Sequence, residues 1–213
     1  MSEARANILR RLGDTQVSTP APDTRPSRTP SLSKEKRIAR FIERQNAVHG
    51  EVHQVPRDQW SDWIATELPK RGLNCLLAGS GEIGSQLSQQ NLPDIKLSLY
   101  DKQIEQWQSE LFNEVDVAIT SSRCAIAETG TLVLWPDADE PRLMSLVPPV
   151  HIALLDVDKL YQTFAEVIAT EKWSNGMPTN TLLISGPSKT ADIEQTLAYG
   201  IHGPKQLITL LLQ

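Results

Sequence analysis

Between positions 51 and 212 the chain alternates short apolar runs with amphipathic segments, and that rhythm limits the fold more than any other feature. The apolar runs predict strands at 51–55, 73–79, 95–100, 115–120, 131–135, 151–155, 181–185 and 207–212. The segments between them predict helices at 57–68, 83–90, 101–112, 156–170 and 191–199. Several strands are unbroken apolar runs rather than alternating ones, which suits strands covered on both faces. The expected class is therefore α/β, a mostly parallel sheet flanked by helices. Hydrophobic residues make up 39% of the 213, enough for one core. No run approaches the ~20 apolar residues of a membrane span. In open sheets ligands sit beyond the carboxyl ends of strands, so the loops after Gly79, Thr120, Trp135 and Ser185 are where chemistry is expected.

Ahead of this body lies a helical N-terminal arm. The sequence ARANILRRL at 4–12 predicts a short helix stopped by Gly13, and Pro20, Pro22, Pro26 and Pro30 then mark an extended linker. A second helix starts after Ser33, whose hydroxyl suits a cap. The expected division is 1–32 for the arm and 33–213 for the α/β domain. Residues 1–44 hold ten Lys/Arg and five Asp/Glu, whereas 45–213 hold eleven and twenty-one. A basic arm thus precedes an acidic body. The overall charge of −5 argues against a general nucleic-acid binder, which must neutralise phosphates.

Cys75 and Cys124 stand far apart, each in an apolar stretch (LNCLLAG, RCAIAE). Two cysteines cannot supply the four thiolates of an ordinary iron–sulfur cluster, so no cofactor of that kind is expected on this chain. Buried, reduced thiols and the lack of an apolar leader point to the cytoplasm.

Four loops could carry chemistry. Gly79-Ser80-Gly81-Glu82-Ile83-Gly84 follows a strand and precedes a helix, with Asp101 at the end of the next strand. That is the layout of a dinucleotide fingerprint, in which Gly79, Gly81 and Gly84 would admit a pyrophosphate; compact turn glycines are the other reading. Glu128-Thr129-Gly130-Thr131 follows a short helical segment and places a carboxylate beside two hydroxyls, where Glu128 could act as base, nucleophile or ligand for a substrate hydroxyl; a turn in which Glu128 accepts backbone N–H bonds and Gly130 supplies the bend is the other reading. Ser185-Gly186-Pro187-Ser188-Lys189-Thr190 leads from a strand into the helix expected at 191–199. Its hydroxyls, Lys189 and free helix N–H groups would form a small-anion site; simple capping by Ser188 or Thr190 explains the same residues. Gly200-Ile201-His202-Gly203-Pro204 is a tight turn presenting His202. Together with His151, Glu128 and His202 make an acid/base set.

The segments AETGTL at 127–132, PPVHIALL at 148–155, SGPSKTADIE at 185–194 and YGIHGPKQL at 199–207 resemble the lactate-utilisation protein C family, the LUD-domain family, in order and spacing. The resemblance implies a fold akin to the ribose-5-phosphate isomerase and CoA-transferase group. It also implies a role in oxidising L-lactate to pyruvate together with two partner proteins that carry the iron–sulfur clusters. This chain would be the non-cluster component, binding a small carboxylate or phosphate, or the partners. Kinship with CoA-transferases would make Glu128 an attacking carboxylate. The alternative is a free-standing nucleotide- or CoA-dependent enzyme using the 79–84 loop.

Overall fold

The computed structural model describes residues 3–13, 30–193 and 196–213. The chain divides into two compact units, Met1–Ser31 and Leu32–Gln213. The first contains α1 (Glu3–Gly13), whose side chains are all exposed. The proline-rich linker expected from the sequence lies largely at 14–29, outside the described residues. The second unit runs α2 (Lys34–Ala47), β1 (Glu51–Val55), α3 (Trp60–Lys70), β2 (Cys75–Gly79), α4 (Glu82–Gln89), β3 (Lys96–Tyr100) and α5 (Gln108–Asn113). It continues with β4 (Val117–Ser121), β5 (Cys124–Ile126), β6 (Thr131–Leu134), β7 (Val150–Asp156), β8 (Leu160–Tyr161) and α6 (Phe164–Thr170). It ends with β9 (Leu182–Ile184), β10 (Lys189–Ile193), β11 (Thr196–Tyr199) and β12 (Gln206–Leu212).

Six strands form one parallel sheet in the order β1-β12-β7-β4-β2-β3. Its central strands are the unbroken apolar runs, and alternate residues face opposite sides. Val117, Ile119, Ile152, Leu154, Ile208 and Leu210 point to one face, where Trp60, Ile64 and Leu68 of α3 and Ile83 and Leu87 of α4 cover them. Ala153, Leu155, Leu207 and Leu211 point to the other, against Phe41 of α2 and a second sheet, β8-β5-β6-β9. Ser33 caps α2, accepting from Lys36 N, and fixes where its buried face begins. Among the described residues no helix is long and apolar enough to cross a membrane.

Three sequence expectations give way to pairing. The segment before Glu128 is strand β5, not a helix, because 124–126 pair antiparallel with 131–133 of β6. The helix expected at 156–170 starts only after Thr163, whose side chain accepts from Glu166 N; Leu160 and Tyr161 are drawn out as β8 by pairing with β5. The helix expected at 191–199 is instead the β10–β11 hairpin, with Lys189 opposite Tyr199 and Thr190 opposite Ala198. Its ends explain this. Gly200 N donates to Ser188 O at 3.0 Å, so the chain leaves and returns at one point, whereas nine helical residues would separate their ends by roughly 13 Å.

Candidate functional site

Strand register brings the loops together. Leu132 of β6 faces Ile184 of β9, which sets the next residues, Thr131 and Ser185, side by side. Their hydroxyls are 2.7 Å apart, and Thr131 Oγ1 is 2.6 Å from Thr129 Oγ1, so three hydroxyls form a chain. Leu207 of β12 faces His151 of β7, and Lys205 N and Gln206 N both donate to Pro149 O. That places the 200–204 turn against the start of β7. Ser188 N donates to Pro204 O at 2.9 Å, joining the remaining two loops.

Between these segments lies a cleft of about 190 Å³. His151, Ser185, Gly186, Ser188, His202 and Gly203 line it on the polar side. Leu146, Leu183, Ile184 and Leu207 line it on the apolar side. The cleft lies by the amino ends of β7 and β12 and takes in the loop that follows β9, the one of the four expected loops whose residues 185–188 line it. Among the described residues, no Lys, Arg, Asp or Glu lines it.

His151 is fully buried, and its Nε2 lies 2.9 Å from Thr120 Oγ1. Nδ1 has no hydrogen-bond partner among the described residues. Burial alone pushes its pKa down to about 4, so the ring is neutral near pH 7. His202 is exposed at the mouth.

The end of α2 clamps both flanking turns. Gln45 Nε2 donates to Gly130 O at 2.5 Å. Gly130 has φ +65°, and a Cβ there would meet Arg44 Cβ at 2.6 Å. Gly186 has φ +145°, and its Cβ would meet Val48 Cγ2 at 2.7 Å. Glycine is needed at both positions for conformation and for space. Replacing Ser185 by alanine removes one link of the hydroxyl chain and should lower stability by about 1 kcal/mol, read as a melting temperature about 2–4 °C lower.

Some expected site residues lie elsewhere. Glu128 is exposed on the β5–β6 turn, its N–H donating to Gln162 O, and it does not line the cleft. Lys189 and Thr190 sit on β10, away from the cleft lining. The helix N-terminus expected after Ser188 is absent, because Lys189–Ile193 form β10, while Ser185, Gly186 and Ser188 line the inter-sheet cleft. The dinucleotide reading of Gly79, Gly81 and Gly84 is corrected too. β2 and β4 flank the crevice where strand order reverses, and the 137–140 segment fills it. Ser80 N donates to Asp139 O at 3.1 Å, and Ser121 N and Oγ donate to Glu140 Oε2 at 2.9 and 2.7 Å. A Cβ on Gly79 would lie 2.2 Å from Asp139 O. The glycines therefore pack against their own chain, and carboxylates stand where phosphates would lie.

Glu171 forms the other dense polar cluster. It accepts from Arg123 Nε (2.6 Å) and Tyr161 OH (2.7 Å), with Lys159 Nζ at 3.4 Å. Burial raises its pKa, but the bonds from Tyr161 and Arg123 bring it below the usual value. Those partners tie together β5, β8 and the end of α6 and leave the carboxylate occupied. Thr120 and Ser145, both buried next to the cleft, were missed in the sequence. Thr120 carried a signal: a polar residue inside an apolar strand (VAIT) must find a partner.

The family model of the LUD domain matches residues 38–212. An uncharacterized protein of Neisseria meningitidis, NMB1437, is 38% identical over 183 residues, covering 84% of this chain and 78% of that one. A protein named lactate utilization protein C from Shouchella clausii is 28% identical over 181 residues, 81% of this chain and 77% of its own. Among solved structures, a DUF162 family protein of Deinococcus radiodurans superimposes with a TM-score of 0.60 over 86% of this chain and 100% of that one, at 22% identity. That likeness concerns the fold, with its mostly parallel sheet between helices. With the match spanning both sheets and every segment around the cleft, the chain belongs to the LUD domain family.

Proposed function

We propose that this chain acts in lactate utilisation as the non-cluster component of a system that oxidises L-lactate to pyruvate with iron–sulfur partner proteins, and that the inter-sheet cleft is its ligand site. The relatives named lactate utilization protein C support the metabolic setting. The observation that carries the reading is convergence. Segments 127–132, 148–155, 185–188 and 200–204 are widely spaced in sequence, yet their strand register gathers them around one cleft or joins them to it by the Thr129–Thr131–Ser185 hydroxyls. Two cysteines, Cys124 buried and Cys75 half-buried on separate strands, fit a subunit whose electrons leave through other proteins.

The experiment is deletion of the encoding gene followed by growth on L-lactate as sole carbon source. Growth should fail on lactate but not on glucose, and return with the intact gene. A tagged copy should co-purify with two cysteine-rich iron–sulfur proteins. Unimpaired growth on lactate would overturn the role; a growth defect without co-purification would overturn the partnership.

A further inference from the structure

We infer that the free edge of β9 pairs antiparallel with the same strand of a second copy, joining the smaller sheets of two chains about a twofold axis at Leu183. The inference concerns a sheet edge and does not rest on the metabolic reading. The two larger sheets end on four strands, β1, β3, β8 and β9. An edge strand offers unpaired N–H and C=O groups to any strand that meets it, and charges or a covering element normally block that pairing. Three of the four are blocked. β1 carries Glu51, held by Arg71 at 2.6 and 2.8 Å. β3 starts at Lys96, 3.5 Å from Glu114, and Asp101 and Lys102 follow it. On β8, Leu160 O accepts from Arg37 Nη1 of α2 at 3.0 Å. β9 is Leu182-Leu183-Ile184, with Thr181 before it and Ser185 after it, and Leu183 is 50% exposed.

Backbone direction decides what this edge can bind. Arg123 N donates to Val133 O at 2.8 Å, so Val133 turns its polar backbone groups toward β5. In an antiparallel ladder successive residues turn theirs to opposite sides. Leu132 and Leu134 therefore face β9, where Ile184 and Leu182 meet them. Leu183, opposite Val133, directs its N–H and C=O away from the sheet. The same alternation, continued, turns Thr181 and Ser185 the same way. No backbone group outside the sheet bonds to Leu183 among the described residues. The cleft of about 190 Å³ runs beside this edge, lined by Leu183, Ile184 and Ser185.

Charge selects a second copy as the occupant. A twofold axis sets each nearby side chain against its own counterpart, so a charge there would face its like. Residues 45–213 hold eleven Lys/Arg against twenty-one Asp/Glu, and two such bodies repel over most of their surfaces. β9 and the cleft beside it carry no Lys, Arg, Asp or Glu among the described residues. Pairing sets Leu183 against its counterpart with two exchanged hydrogen bonds, sets Thr181 against the counterpart of Ser185, and covers the exposed leucine. Val48, beside Gly186, and Ile201, next to His202, are exposed apolar side chains that extend the same rim.

The full-length chain is examined by sedimentation equilibrium from micromolar to near-millimolar concentration. The expected mass rises from 23.7 kDa toward twice that value. Leu183→Asp sets two carboxylates together at the axis and should weaken association about a hundredfold or more. Leu183→Pro removes an outward N–H, which an edge strand tolerates. It should weaken association as well, with a melting temperature near that of the wild type. Leu182→Pro removes an N–H that faces β6 and should lower the melting temperature instead. Opposed residues of a hydrogen-bonded antiparallel pair have Cα atoms about 5.5 Å apart, within disulfide reach, so mild oxidation of Leu183→Cys should give a covalent dimer. A chain that stays monomeric throughout, a dimer whose affinity Leu183→Asp leaves unchanged, or a Leu183→Cys dimer that does not cross-link would overturn the inference. Growth on lactate reads the functional proposal separately and has no bearing on this edge.

Discussion

Gly84→Ala should unfold the chain far more readily than its wild type, with a loss of about 3 kcal/mol or more and a melting temperature lower by roughly 6–12 °C. Propensity alone predicts the opposite, since alanine in a helix is favoured over glycine by about 1 kcal/mol. The packing reverses that sign. Gly84 is buried in the first turn of α4, and a Cβ there would lie 1.9 Å from Gly79 O and 2.9 Å from Leu99 Cδ2. The first of these atoms is backbone at the end of β2 and cannot rotate aside, so α4 must move off the sheet. Gly81→Ala is the internal control. Its Cβ would lie 3.2 Å from Asp139 Cβ, a contact relieved by a shift of a few tenths of an ångström, and the expected change is within about 1 kcal/mol. Urea titrations of the three proteins, with midpoints compared at equal slope, decide the matter. A stable Gly84→Ala would sink the packing account of this glycine loop.

The same loop marks how far the sequence could be read. Apolar runs identified the central strands of the parallel sheet, β2, β4, β7 and β12, because these are covered on both faces, a condition that composition records locally. The 207–212 segment is a clear case, whereas the edge strand at 51–55 (EVHQV) is only partly covered. Strands of two or three residues, such as β5 and β8, have no such local signature; they exist because a neighbour's free edge pairs with them. The 191–199 segment was read as a helix because its residues tolerate one, and the closure of Ser188 on Gly200 overrode that tolerance. At the site, Ser185, Gly186, Ser188 and His202 were visible as loop residues. Their meeting with His151 and Thr131 was not, because it depends on register between strands more than fifty positions apart. The G-x-G-x-x-G spacing misled for a physical reason: a close backbone approach needs glycine whether the approaching atom is a phosphate or Asp139 O.

Acidification from pH 6.5 to 4 should cost the folded chain about 3 kcal/mol through His151 alone. The ring's pKa is about 4 in the fold, lowered from 6.5 by burial. Between those values the unfolded chain takes up a proton that the folded one refuses, so stability falls as pH falls. The contribution is fully present above pH 6.5 and exhausted below about 4, and a difference of 2.5 pKa units at 1.36 kcal/mol each sets its size to about 3 kcal/mol. Other groups act in nearby windows. Glu140, pushed up by burial, binds its proton earlier in the fold and works in the opposite direction. Glu51, held down to about 2 chiefly by its hydrogen bond from Arg71, adds a loss of the same sign only below about pH 4.5. The contribution of His151 is therefore read as a difference. His151→Asn keeps a neutral hydrogen-bonding side chain beside Thr120 but cannot titrate, so its stability should fall less steeply from pH 6.5 to 4 than that of the wild type. Urea denaturation at pH 7, 6, 5 and 4 for both proteins measures the two slopes. Parallel curves would mean that His151 titrates normally in the fold, which would require water to reach its ring and would contradict its full burial.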